Sequence, residues 1–202
     1  MNNSHSSKRG RGRPKTFDRE RAIEDAMRLL WQRGPGVLSV NELCGAVGIA
    51  KPSLYREFGG EDGLVATVLE CYLQTRTLPL LDELTQDLPM ARLVNGLANW
   101  LVTPSTDPAG CLLAKTRSTL DTLGPKTTAQ VEKMKQTQRA KLTAWMQRAQ
   151  NNGELAAGLD PTIAGRFVDT QLTTLLMLAA QGEPADLLKA QTTLAFSGLT
   201  NR

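Results

Sequence analysis

The chain has 202 residues, of which 41% are hydrophobic, 22% charged and 4% aromatic, with a net charge of +4. That apolar content excludes a wholly disordered chain, and so few aromatics suit packed helices better than a β-sandwich. No run of about 18 uncharged apolar residues occurs and the first residues are polar, so neither a membrane span nor a signal-peptide core is expected, and the chain reads as cytoplasmic.

Residues 1–15 read as a disordered basic arm. They hold five positive charges (Lys8, Arg9, Arg11, Arg13, Lys15) and no acid, which leaves the remainder one net negative charge. A cationic end on a nearly neutral body is the pattern of a protein that meets a polyanion at one end. From Phe17 the pattern changes. Ile23, Ala26, Met27, Leu30 and Trp31 follow the i, i+3, i+4, i+7 spacing of an amphipathic helix that starts near Asp18 and stops at Gly34-Pro35-Gly36.

Ser39-Val40-Asn41-Glu42 is a capping box that opens a short second helix with Val40, Leu43, Cys44 and Val47 inward, ended by Gly48. Pro52 suits the first turn of a third helix, on which Leu54 and Phe58 face back and Lys51, Ser53, Tyr55, Arg56 and Glu57 face out. Gly59-Gly60 breaks the chain, and Glu61-Asp62 opens a fourth helix that Pro79 is expected to end. Further helices are read at roughly 80 to 88, 90 to 103, 110 to 123, 126 to 151, 161 to 181 and 184 to 199, and no segment argues for strand. The expected fold is all-α. Its expected division is a helix-turn-helix unit over residues 16–60 and a larger helical body over 61–202.

Two short helices joined through Gly48 make a helix-turn-helix, in which a braced second helix enters the major groove. Ser53 and Arg56 suit base reading, and Lys51 and Tyr55 suit phosphate contact. With Ser39 and Pro52 they are the candidate DNA-contacting residues of this unit.

From Phe17 to Tyr72 the chain resembles the DNA-binding domain of the TetR family of repressors. The resemblance rests on Trp31-Gln32-Arg33-Gly34, on Ser39-Val40-Asn41-Glu42-Leu43, and on the run from Val47 to Gly59 with Lys51-Pro52-Ser53-Leu54-Tyr55-Arg56-Glu57-Phe58 at its centre. It implies a transcriptional repressor that holds a palindromic operator in double-stranded DNA as a homodimer, paired through its last two helices and released by a small-molecule effector. One departure stands out. Family members commonly carry a phosphate-contacting lysine at the start of the fourth helix, where this chain has Glu61 and then Asp62. The resemblance therefore implies loss of that contact, with Asp62 left as a helix-capping residue. Arg11-Gly12-Arg13-Pro14 resembles the core of an AT-hook, making Arg11 and Arg13 candidate minor-groove contacts, with plain phosphate attraction as the alternative.

The effector is expected among the middle helices, where Trp100, Cys111, Leu112, Met134, Trp145 and Met177 are candidate lining residues for their large or polarisable side chains. Cys111 carries two open readings. At a helix start with Lys115 one turn along and Arg117 nearby, it suits a thiolate that senses thiol-reactive compounds, as in a subset of TetR-like regulators with a similar Gly-Cys step. As a small hydrophobe it suits inert packing.

Catalysis is short of groups. His5 is the lone histidine and lies in the polar arm, and Cys44, Cys71 and Cys111 are widely spaced, so neither a hydrolytic triad nor a zinc site is expected and no cofactor is implied. Two rival readings are a DNA-architectural protein using the arm without any ligand, and an enzyme acting on a hydrophobic small molecule with an appended DNA-binding module.

Overall fold

Asp18 opens the first helix by accepting from the Arg21 amide at 3.0 Å, in a computed structural model that describes residues 18–200. Helix α1 runs Arg19–Arg33, α2 Val40–Ala46 and α3 Lys51–Phe58. The capping box at α2 is formed: the Glu42 amide donates to the Ser39 hydroxyl at 3.3 Å and the Ser39 amide donates to the Glu42 carboxylate at 2.8 Å. Gly48, at φ 68°, makes the left-handed step between α2 and α3.

Helix α4 spans Glu61–Tyr72 and α5 Leu78–Leu84, and Pro79 does not end the run between them. Residues Leu73–Thr77 widen into a π-helical turn, with the Leu78 amide donating to the Leu73 carbonyl. Pro79 then falls in the first turn of α5, where its missing N–H is not needed and the axis is re-aimed without a loop. Helices α6 (Met90–Leu101), α7 (Leu112–Ser118), α8 (Pro125–Asn151), α9 (Pro161–Ala180) and α10 (Ala185–Ser197) complete the chain. Asp160 caps α9 through the Thr162 and Ile163 amides at 2.8 and 3.0 Å. Among the described residues there is no strand, only an isolated bridge between Leu155 and Thr200.

Two apolar cores result. One joins α1 to α4 around Met27, Leu43, Leu54, Leu64 and Leu69 and reaches into the body through Cys111, Leu112, Val131 and Met134. The other fills the space between α5, α6, α8, α9 and α10 around Leu97, Leu142, Trp145, Val168 and Phe196. Leu172, Leu175, Leu188 and Phe196, on the last two helices, are buried here within one chain. Gly165 lets α9 approach α8 closely, because a Cβ there would lie 3.0 Å from the Thr143 Cα. The first core crosses residue 60 and continues along α4, so that position is not a break in packing.

Candidate nucleic-acid interface and effector cavity

Leu54 and Phe58 anchor α3 from below, and the Arg19 guanidinium covers the Phe58 ring at 5.3 Å from its centre. That anchoring turns Lys51, Pro52, Tyr55 and Arg56 outward, with Tyr55 60% exposed and Ser53 half-buried at the turn. Arg56 Nε donates to Glu57 Oε1 at 2.9 Å. Its guanidinium must leave that exposed pair to read a base, and such a surface pair contributes little. The Ser39 hydroxyl is engaged with Glu42, so it stabilises α2 and is less available to a phosphate. Arg11 and Arg13 lie outside the described residues.

The turn from α3 to α4 abuts the start of α8. Asp62 does cap a helix, but that helix is α8: its carboxylate accepts from the Lys126 amide at 3.0 Å and the Thr127 amide at 2.9 Å. Burial pushes the Asp62 carboxyl up, yet the Thr127 and Lys126 donors and the Lys126 charge outweigh it and hold the group below the ordinary carboxylate range. Glu61 moves the other way, raised by burial and by the neighbouring Asp62 charge.

Within the body lies a cavity of about 450 Å³. Trp31 of α1 and Tyr72 of α4 form one end, with ring centres 4.8 Å apart and edge-to-face at 82°. Helix α6 and the loop after it contribute Trp100, Pro104, Asp107 and Cys111, α8 contributes Gln138 and Leu142, and α9 contributes Asp169, Leu172, Thr173 and Leu176. Trp31 is held by the loop it faces, its Nε1 donating to the Gly110 carbonyl at 2.9 Å while Lys115 Nζ donates to the Trp31 carbonyl at 2.6 Å. A mostly apolar cavity with a few polar groups suits a small organic molecule.

Its charges are largely spent on one another. Arg76 pairs with Asp107 at 2.7 Å and lies 3.6 Å from Glu24. Burial raises Asp169, which the Arg139, Arg117 and Lys135 charges only partly offset. Burial likewise pushes the Cys111 thiol up, against donation from the Ala114 amide and the Tyr72 hydroxyl. This corrects the thiolate expectation: α7 is a short helix, and Lys115 turns its ammonium to the Trp31 and Ala109 carbonyls. The loss of hydration outweighs the field of the helix start.

Of the candidate lining residues, Trp100 and Cys111 stand in the wall. Leu112, Met134 and Trp145 are instead buried core side chains outside the wall, and Met177 is half-buried beside Gly110, also outside it. Sequence reasoning missed Trp31, Tyr72, Arg76, Gln138 and Asp169. Trp31 and Tyr72 read as the apolar stripes of their helices, and nothing local marks a stripe residue that also borders a cavity. Among the described residues no group of three or more His, Cys, Asp or Glu could hold a metal ion, and no helix is long and apolar enough to cross a membrane.

Residues 22–68 match the family model of bacterial regulatory proteins of the tetR family, and residues 89–194 match that of the tetracyclin repressor-like C-terminal domain. The chain is similar to the HTH-type transcriptional repressor ComR of Escherichia coli K12, 29% identical over 90% of this chain and 88% of that protein. It is also similar to the repressor BdcR of the same organism, 43% identical over 39% of this chain and 40% of that one. A cysteine-substituted CifR, a TetR family transcriptional regulator solved on a 26-base-pair operator DNA, superposes with a TM-score of 0.73 at 26% identity, covering 93% of this chain and 100% of that one. The reduced form of E. coli NemR shares the fold, with a TM-score of 0.76 at 16% identity over 90% of this chain and 97% of that one.

Proposed function

The chain belongs to the tetR family of bacterial regulatory proteins, and on that premise we propose that it is a transcriptional repressor that grips operator DNA as a homodimer and lets go when a small molecule fills the cavity. The observation that carries the reading is Trp31. It is a residue of the DNA-facing helix bundle and at the same time an end wall of the cavity, tied to the opposite loop at Gly110. A ligand that fits one position of Trp31 better than another acts on α1 directly, and differential fit is what a population shift needs.

In this reading Ser53 and Arg56 read bases, Lys51, Pro52 and Tyr55 follow the backbone, and Ser39 serves by capping α2. Arg11 and Arg13 add a minor-groove or phosphate contact. The DNA-binding unit extends past residue 60 into α4, whose first turns pack in its core. The pairing surface is built from Ile163 and Phe167 of α9 and Leu187 and Leu194 of α10, large apolar side chains left 63%, 38%, 44% and 75% exposed in the single chain. The effector is a mostly apolar molecule that touches Trp31, Tyr72, Trp100 and Leu142.

Selection of bound sequences from a random DNA pool by the purified protein tests this. A palindrome with half-sites about one helical turn apart is the expected result. Binding without sequence preference beyond A·T content returns the architectural reading.

A thiol-reactive effector is the second reading, favoured by the place of Cys111 in the cavity wall beside the Tyr72 hydroxyl. Such a compound must enter the cavity before it meets a thiol that burial keeps protonated. Alkylation at Cys111 that abolishes operator binding supports it; alkylation without effect on binding removes it.

A further inference from the structure

We propose that Lys126, in the first turn of α8, is a DNA-phosphate contact carried by the sensor body rather than by the helix-turn-helix. The inference rests on the proposed reading of this chain as a repressor whose α3 faces DNA. Asp62 fixes the backbone of Lys126 against the α3–α4 turn, and the side chain then doubles back over that turn. A Cβ on Gly59 would lie 2.8 Å from Lys126 Nζ, and one on Gly63 3.5 Å from it. The Tyr55 ring packs on the same turn, 3.2 Å from where a Gly60 Cβ would stand. Tyr55 and the Lys126 ammonium thus occupy one exposed edge, at the end of the helix that faces DNA.

Charge gives the second part of the case. The turn itself offers DNA only two acids, Glu61 and Asp62. Asp62 is committed to the amides of α8, while Glu61, next in the chain to Gly60, would repel a phosphate. The Lys126 ammonium offsets the Glu61 charge and puts a cation at that edge. An ammonium has three donors, so it can serve the carbonyl end of α3, where the helix dipole favours a cation, and still meet a phosphate.

The location has a regulatory consequence. Gln138 and Leu142, further along α8, line the cavity. Twelve residues of helix separate Lys126 from Gln138, about 18 Å of one rigid rod. An effector that displaces α8 at Gln138 moves the ammonium off the phosphate line without any change inside α3.

The test measures affinity of the full chain for its selected DNA between about 50 and 200 mM KCl. Lys126→Gln should bind selected and random DNA roughly tenfold more weakly, with a log–log salt slope shallower by about 2 per dimer. Glu61→Lys placed on top of Lys126→Gln should restore the slope, and Glu61→Lys alone should steepen it. A cation that only caps α3 would lower the melting temperature in Lys126→Gln and leave the slope unchanged, which overturns the proposal. No steepening by Glu61→Lys overturns it as well, since the turn would then not reach a phosphate. If the wild-type chain binds no DNA, the repressor reading itself fails; if the wild type binds and only these slopes stay fixed, this inference fails alone.

Discussion

In α2 and α3 short-range hydrogen bonds shape the outward surface: Ser39 with Glu42, the Ile49 amide with the Cys44 carbonyl, the Gly59 amide with the Tyr55 carbonyl. In the cavity wall the spans are long, with Trp31 meeting Gly110 across 79 positions and Arg76 meeting Asp107 across 31. The first region is a local construction with Lys51, Tyr55 and Arg56 exposed on its outward side. The second exists only after α1, α4, α6, α8 and α9 have packed, and its polar groups are engaged across helices. A switch needs this asymmetry: a rigid reader, and a sensor whose walls belong to several elements that can shift against each other.

The largest expected effect strikes where the two regions join. A methyl group at Gly63 would run into the Phe58 carbonyl, so Gly63→Ala should cost about 3 kcal/mol in urea unfolding and separate α3 from α4. A loss under about 0.5 kcal/mol would mean that the junction gives way easily and the reader is not rigidly held.

Within the reader, Arg56→Ala should remove about 2 kcal/mol of discrimination between operator and random DNA. Tyr55→Ala should weaken both alike, and equal behaviour of the two variants on both DNAs would break the division of roles.

On the sensor side, Trp31→Phe keeps an aromatic wall but leaves the Gly110 carbonyl without its donor. A stability loss of about 1 to 2 kcal/mol is expected, together with a smaller effect of any cavity ligand on DNA affinity. Unchanged coupling in this variant would show that the sensor speaks to the reader by another route.

The smallest effect is at the α8 cap. Asp62→Asn should cost about 1 kcal/mol at neutral pH. The folded chain holds this carboxyl below its ordinary range, so its contribution is complete above that range and is lost as pH falls through the folded value. The stability gap between wild type and variant, followed from pH 7 to pH 3, should therefore narrow toward the acid end. A constant gap would mean that the charge itself is not used.

Legibility in the sequence followed the same division. The helix order, the capping box, the turn at Gly48 and the outward set on α3 could be read because each depends on neighbours a few positions away. Pro79 misled, because the π-helical turn before it, with Leu73 and Thr77 buried, lets the proline fall in the first turn of α5. Cys111 read as a thiolate on an incomplete electrostatic reason: the helix start is local and visible, whereas the burial that pushes the thiol up is not. Asp62 reads as a cap, but the helix it caps is 64 residues away.

The sequence by itself determined that this chain is all-helical, that it opens with a helix-turn-helix, and which faces of the first three helices turn inward, because periodicity and capping act through the backbone at short range. Only the tertiary structure decided which apolar side chains border a cavity and which are sealed in the core, and which lysine lies over the α3–α4 turn. Those outcomes depend on distances between helices, and no local pattern of residues encodes a distance to a segment still to be packed.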